Sequence, residues 1–140
     1  MADYEGISIV SELYTDKVKD MSEAMADVLK RYPDLDGVFC TNEDVADMYL
    51  GLDKGENTPV MVGVDATSVQ QKAITDGQEL GTVSQDPYDI GYQTIIAASQ
   101  AMSTDPAQAA SVEKNVLLEP KWIDASNIDD RVNGNYLYSK

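Results

Sequence analysis

Three times between Asp36 and Tyr88 the chain repeats one pattern: a short apolar run, a small polar cluster, then a helical sequence. The apolar runs are Val38–Cys40, Val60–Val64 and Thr82–Ser84, and the first two contain no polar residue. Such runs suit strands of a parallel sheet flanked by helices, whereas a strand with one wet face would alternate. The fold class expected is α/β, a three-layer doubly wound and mainly parallel sheet of flavodoxin-like type. In open sheets of this kind ligands settle in the crevice beyond the carboxyl ends of the strands. Asn42, Asp65 and Gln85 each follow a strand end, so they belong to one edge of the sheet although about twenty positions separate each from the next.

Asn and Asp after a strand ordinarily cap the next helix. At Asp65 that role is already filled, because Thr67 with Gln70 spells a capping box. Gln85 is a poor cap, and Asp86 followed by Pro87 and Asp89 reads as N-cap, N1 proline and first-turn acid. At Asn42 capping is the simpler role, with Thr41 and Asp44 as a looser competing box. Two amides and a carboxylate make a recognition set. The carboxylate is an acceptor-only fork, the amides offer donor and acceptor, and neighbouring hydroxyls of a polyol match both. No nucleophile, cofactor or metal is called for.

At these residues the sequence resembles a known family. FCTNED, VMVGVDAT, ITDGQELGTVSQDPYDIGY and the preceding RYPDLDGVF are similar to the C-terminal half of periplasmic sugar-binding proteins of the ribose/galactose class, the type I proteins that feed ABC importers. The likeness runs from about Ile7 to Asp129, in the family's order and spacing. It implies one lobe of a two-lobed clamp closing on a monosaccharide or similar polyol. Asn42, Asp65 and Gln85 match hydroxyl-binding positions, with Gln85 at the hinge. Partners implied are a sugar, the N-terminal lobe of the parent protein and an ABC permease, in an extracytoplasmic setting. Tyr14, in the SELYTD loop, is a further ligand candidate, since an aromatic face suits the C–H surface of a sugar ring. A gapless alignment puts Asp16 nearer that spot, and a loop tyrosine more often packs on its own sheet.

Length and composition agree with one domain. A chain of 140 residues buries roughly 70% of its unfolded surface. Residues 1–140 are read as a single C-terminal lobe with the N-terminal lobe absent. MADYEGIS has neither a basic start nor an apolar segment, so no signal peptide is read there, and no run is long enough to span a bilayer. A net charge of −15, from 25 acids and 10 bases, disfavours nucleic acid and anionic membranes. The single cysteine, Cys40, excludes an internal disulfide, and without any histidine it has no such base to activate it.

The remaining elements follow from periodicity. Ile7–Val10 is expected as the first strand, Asp16–Arg31 as a helix ended by Pro33, and the next helix from about Glu43 to before Gly55. Thr67–Thr75 is the third helix, closed by Asp76-Gly77, and Pro87–Met102 the fourth, with Tyr88, Tyr92, Ile95 and Met102 inward. Val116–Leu118 is the expected fifth strand, Trp122 packs, and the polar end from Asn133 to Lys140 frays. In the two-lobed proteins the stretch from about Pro87 to Leu118 would lie against the absent lobe. Here it is expected to fold back and complete a five-stranded sheet in a monomer, with a domain-swapped homodimer as the second option. Two other function classes fit the scaffold. One is the effector-binding domain of a lactose-repressor-type regulator. The other, an enzyme with Glu43 and Asp65 as a carboxylate pair, lacks an acid in an apolar pocket, so a non-enzyme is expected.

Overall fold

The computed structural model describes residues 4–56 and 58–138. Four strands form one sheet in the order of the sequence: β1 (Gly37–Phe39), β2 (Val60–Val64), β3 (Gly81–Ser84) and β4 (Lys121–Asp124). β1, β2 and β3 run parallel, and β4 returns antiparallel to β3. The fold is thus α/β with a mostly parallel sheet, as the three apolar runs require. Its helices are α1 (Met21–Arg31), α2 (Glu43–Leu50), α3 (Ser68–Thr75), α4 (Pro87–Ala101) and α5 (Pro106–Ala110), followed by a 3-10 turn over Arg131–Tyr136.

Local chemistry sets the helix ends. α1 begins at Met21, later than periodicity suggests, because the Asp20 carboxylate accepts from Glu23 N at 3.0 Å and caps the helix there. The residues before it form a turn in which Lys17 N and Val18 N donate to Tyr14 O. α3 carries the complete Thr67–Gln70 capping box, and Asp86 caps α4 with Pro87 in its first turn. The caps of α3 and α4 are those read from the sequence, whereas the Asp20 cap is not.

Two apolar clusters support the sheet. Met21 and Met25 of α1, Ala46 and Tyr49 of α2, Cys40 and Met61 are buried together. Ile74 of α3 packs with Ile123 of β4 and Ile128, flanked by Tyr136 and Leu137. Pairing places Val38 beside Met61, Thr82 beside Gly63 and Ile123 beside Thr82, so α1, α2 and α3 cover one face of the sheet through these residues. Phe39, Val60 and Trp122 stay substantially exposed on the other face. Trp122 packs, as expected, over Gly81. A Cβ built there would lie 2.4 Å from the indole Cζ2, so the ring requires that glycine.

Four expectations are corrected. Ile7–Val10 is not a strand; Ile7, Ile9 and Val10 are exposed and form no ladder with β1. Val116–Leu118 is not a strand either, since the free edge of β3 is taken by β4 and Leu117 is 92% exposed. Among the described residues the sheet therefore has four strands, and the stretch from Pro87 to Leu118 does not complete a fifth. α4 forms where expected but buries none of its residues: Tyr88, Tyr92, Ile95 and Met102 all lie exposed. Finally, the polar end is ordered as far as Tyr138. Asn133 is buried and Tyr136 and Leu137 pack on the second cluster, because this stretch seals the α3–β4 side of the sheet. Ser139 and Lys140 lie outside the described residues.

Candidate functional site

Because β1, β2 and β3 are parallel and in register, their carboxyl ends share one edge of the sheet. The ladder continues just past the strands, with Cys40 N donating to Val62 O at 2.9 Å and Asp65 N to Val83 O at 3.0 Å. Asn42, Asp65 and Gln85 follow those ends and are brought to that edge. Their states differ. The Asn42 amide oxygen accepts from Val45 N at 3.1 Å and caps α2, so the local reading of this residue holds, while no described residue accepts from its Nδ2. Gln85 is exposed, and its side-chain amide has no hydrogen bond among the described residues.

Asp65 is half-buried and is the one non-glycine residue with positive φ among the described residues, at +74°. A side chain in the left-handed region costs on the order of 1–2 kcal/mol, and such strain persists only where surrounding bonds hold it. Here the holding groups are visible. Thr82 Oγ1 donates to Asp65 O at 2.5 Å, and Tyr138 Oη donates to Asp65 Oδ1 at 2.8 Å. The capping box leaves the Asp65 side chain free of helix duty, as expected. Its carboxylate is not the open two-pronged acceptor read from the sequence, however, because one oxygen already has the Tyr138 phenol as a partner.

Below Asp65 lies a buried polar seam. Gln70, Glu79 and Thr82 are at most 1% exposed. The Gln70 amide nitrogen lies 3.3 Å from Val64 O, 3.3 Å from Glu79 Oε1 and 3.4 Å from Thr82 Oγ1. Space for it comes from Gly63, where any Cβ would sit 2.5 Å from Glu79 Oε1. Burial pushes the Glu79 carboxyl up to about 7; the Gln70 hydrogen bond opposes this and the Asp47 charge adds to it. Cys40 is buried nearby and its thiol is pushed up to about 12, by burial first and by Glu79 second. A thiol so far from ionisation is no nucleophile at neutral pH.

Tyr14 lies apart from this group. Its ring is exposed, with Lys17 Nζ 4.1 Å from the centroid and its hydroxyl 3.4 Å from Glu12 Oε2. Together with Asp16 and Asn42 it lines a cavity of about 550 Å³ between the N-terminal segment, α1 and β1, and neither Asp65 nor Gln85 borders that cavity. Sequence reasoning missed Tyr138 and Thr82. Thr82 was read only as a strand residue. Tyr138 sat in a tail whose composition signals nothing, and only the fold brings it 73 positions back to Asp65.

A model of the periplasmic binding protein domain matches residues 1–105. The ribose import binding protein of Escherichia coli strain K12 is 29% identical over 99 residues, covering 67% of this chain and 32% of that protein. This chain thus spans about a third of the length of the curated relatives it matches. Among solved structures it is similar to an ABC transporter solute binding protein from Agrobacterium vitis with bound D-fucose: TM-score 0.74, 26% identity, 84% of this chain and 40% of that one. It is also similar to an ABC transporter, LacI family transcriptional regulator from Brachyspira murdochii: TM-score 0.67, 27% identity, 84% of this chain and 40% of that one.

Proposed function

From the premise that this chain belongs to the periplasmic binding protein family, we propose that it is the C-terminal lobe of an extracytoplasmic solute-binding protein that captures a monosaccharide or similar polyol for an ABC importer. The observation that carries this reading is Asp65: a strained, half-buried acceptor at the carboxyl edge of a parallel sheet, with Asn42 Nδ2 and the Gln85 amide at the same edge. These groups bind hydroxyls and move no protons, so the activity is recognition rather than catalysis. In the parent protein an N-terminal lobe supplies the opposing wall, and the ligand bridging both lobes favours the closed state that a permease reads. The same lobe covers the exposed side chains of α4. In the isolated chain a domain-swapped dimer competes for that role, and light scattering on a dilution series distinguishes the two.

The test is a calorimetric titration of D-ribose and D-fucose against the intact parent protein and its Asp65→Ala variant. Loss of a hydrogen bond to a charged acceptor weakens binding roughly ten- to a hundredfold. Equal affinity of the two proteins would sink the reading. The chain alone keeps part of the contacts, and its affinity falls to the order of millimolar; micromolar binding by it would contradict the two-lobed scheme. The Brachyspira neighbour supports a second reading, an effector-binding domain of a transcription regulator. The upstream reading frame separates them, by a helix-turn-helix in one case and a secretion signal in the other.

A further inference from the structure

Tyr138 approaches the candidate site from the far end of the chain and is bonded on several sides. Its backbone N donates to Ala66 O at 2.9 Å, and its carbonyl accepts from Gln71 Nε2 at 3.0 Å, the same amide that donates to Ala66 O at 2.7 Å. Two residues earlier, Tyr136 O accepts from Ser84 Oγ at 2.5 Å. The tail is therefore fastened to the loop after β2 and to the end of β3, the two places from which Asp65 and Gln85 emerge. We propose that Tyr138 is a positioning and specificity-determining residue of this site: its phenol holds Asp65 Oδ1, so that a ligand meets Oδ2 and can place one hydroxyl, not a neighbouring pair, on this carboxylate.

Three observations bear on it. The phenol–carboxylate bond of 2.8 Å is charge-assisted and about twice as strong as a neutral one. No described residue bonds Asp65 Oδ2, which leaves that oxygen for a guest. Burial raises the phenol to about 12, its bond to Asp65 and the Asp65 charge add to this, a Ser84 hydrogen bond opposes them, and the Glu43 charge adds a little more. With the Asp65 backbone strained at φ +74°, a fixed partner on the carboxylate keeps the acceptor oriented before any ligand arrives.

This assignment rests on the sugar-binding reading, and its test separates the two. Amide chemical shifts of the isotope-labelled chain are followed while D-ribose or 2-deoxy-D-ribose is added to several hundred millimolar, for the wild type, Tyr138→Phe, Asp65→Ala and the double variant. Tyr138→Phe is expected to weaken ribose binding three- to tenfold, and to raise the preference for ribose over 2-deoxyribose, because Oδ1 becomes available to a second hydroxyl. In the Asp65→Ala background the Tyr138 change should have no further effect, a coupling that a purely structural role would not produce. An unchanged dissociation constant and sugar preference in Tyr138→Phe would overturn the assignment while leaving the sugar site standing. An equal Tyr138 effect with Asp65 absent would also overturn it. Wild-type spectra unmoved by either sugar would remove the sugar site itself, and the assignment with it.

Discussion

α3 and α4 are both capped by their own sequence, yet only one of them is built into the molecule. α3 has eight residues, and Gln70, Ala73 and Ile74 are buried against the sheet. α4 has fifteen residues, an Asp86 cap and an N1 proline, and it buries none. The difference shows that caps and periodicity decide where a helix forms, while burial depends on a surface that some other part of the protein must provide. α3 finds that surface in β3, β4 and the tail. Most of α4 meets solvent, touching chiefly α5 and the 3-10 turn.

The contrast is broken most directly by truncating one isoleucine in each helix. Ile74→Ala should destabilise the fold by about 2–4 kcal/mol, because it leaves a cavity in a packed cluster. Ile95→Ala, at a residue 69% exposed, should stay within about 0.5 kcal/mol. Urea unfolding followed by circular dichroism measures both, and similar values would erase the distinction between the helices.

The stability of the α3 side also depends on a proton. Glu79 sits at about 7 in the fold against an ordinary 4.5, so the native state binds the proton more tightly than the unfolded chain does. Its contribution is therefore fully present below about 4.5 and is lost as pH rises through about 7. At 1.4 kcal/mol per unit, discounted for screening, the loss is on the order of 2 kcal/mol between pH 4.5 and 8. Glu79→Gln should flatten this slope in urea midpoints measured across that range, and an unchanged slope would place the titrating group elsewhere.

Removing a cap probes the same comparison more finely. Thr67→Ala breaks the capping box and the 2.8 Å bond to Asp47, and should lower global stability by about 1 kcal/mol or somewhat more. Asp86→Ala removes a similar bond, but from a helix with little tertiary support, so amide exchange in the first turns of α4 should accelerate with little change in the global midpoint. At Asp65 two substitutions isolate the backbone contribution. Asp65→Gly should be more stable than Asp65→Ala by about 1 kcal/mol, since both lose the Tyr138 bond and only alanine keeps the left-handed strain.

What could be read in the sequence divides along the same line. The strands β1 to β3, the capping box and the Asp86-Pro87 start of α4 are specified by residues within a few positions of one another. The placement of Asn42, Asp65 and Gln85 on one edge follows from parallel connectivity alone. The errors lie where a partner at long range decides. Val116–Leu118 has the composition of a strand, but Lys121–Asp124 holds the edge, because Trp122 fits over Gly81 and Ile123 completes the α3 cluster. The inward stripe expected on α4 reflects apolar composition correctly and burial wrongly. Tyr138 was invisible because nothing near it in the chain indicates that it returns to residue 65.

The antiparallel pairing of Ser84 with Lys121 has a consequence for how the chain can be cut. The whole excursion from Gln85 to Pro120, with both exposed helices, departs and re-enters at adjacent points on two bonded strands. Topologically it is an oversized hairpin loop. A short turn joining Ser84 to Lys121 would leave every strand pairing and both apolar clusters in place, and would yield a smaller protein that retains Asp65, its threonine brace and its tyrosine.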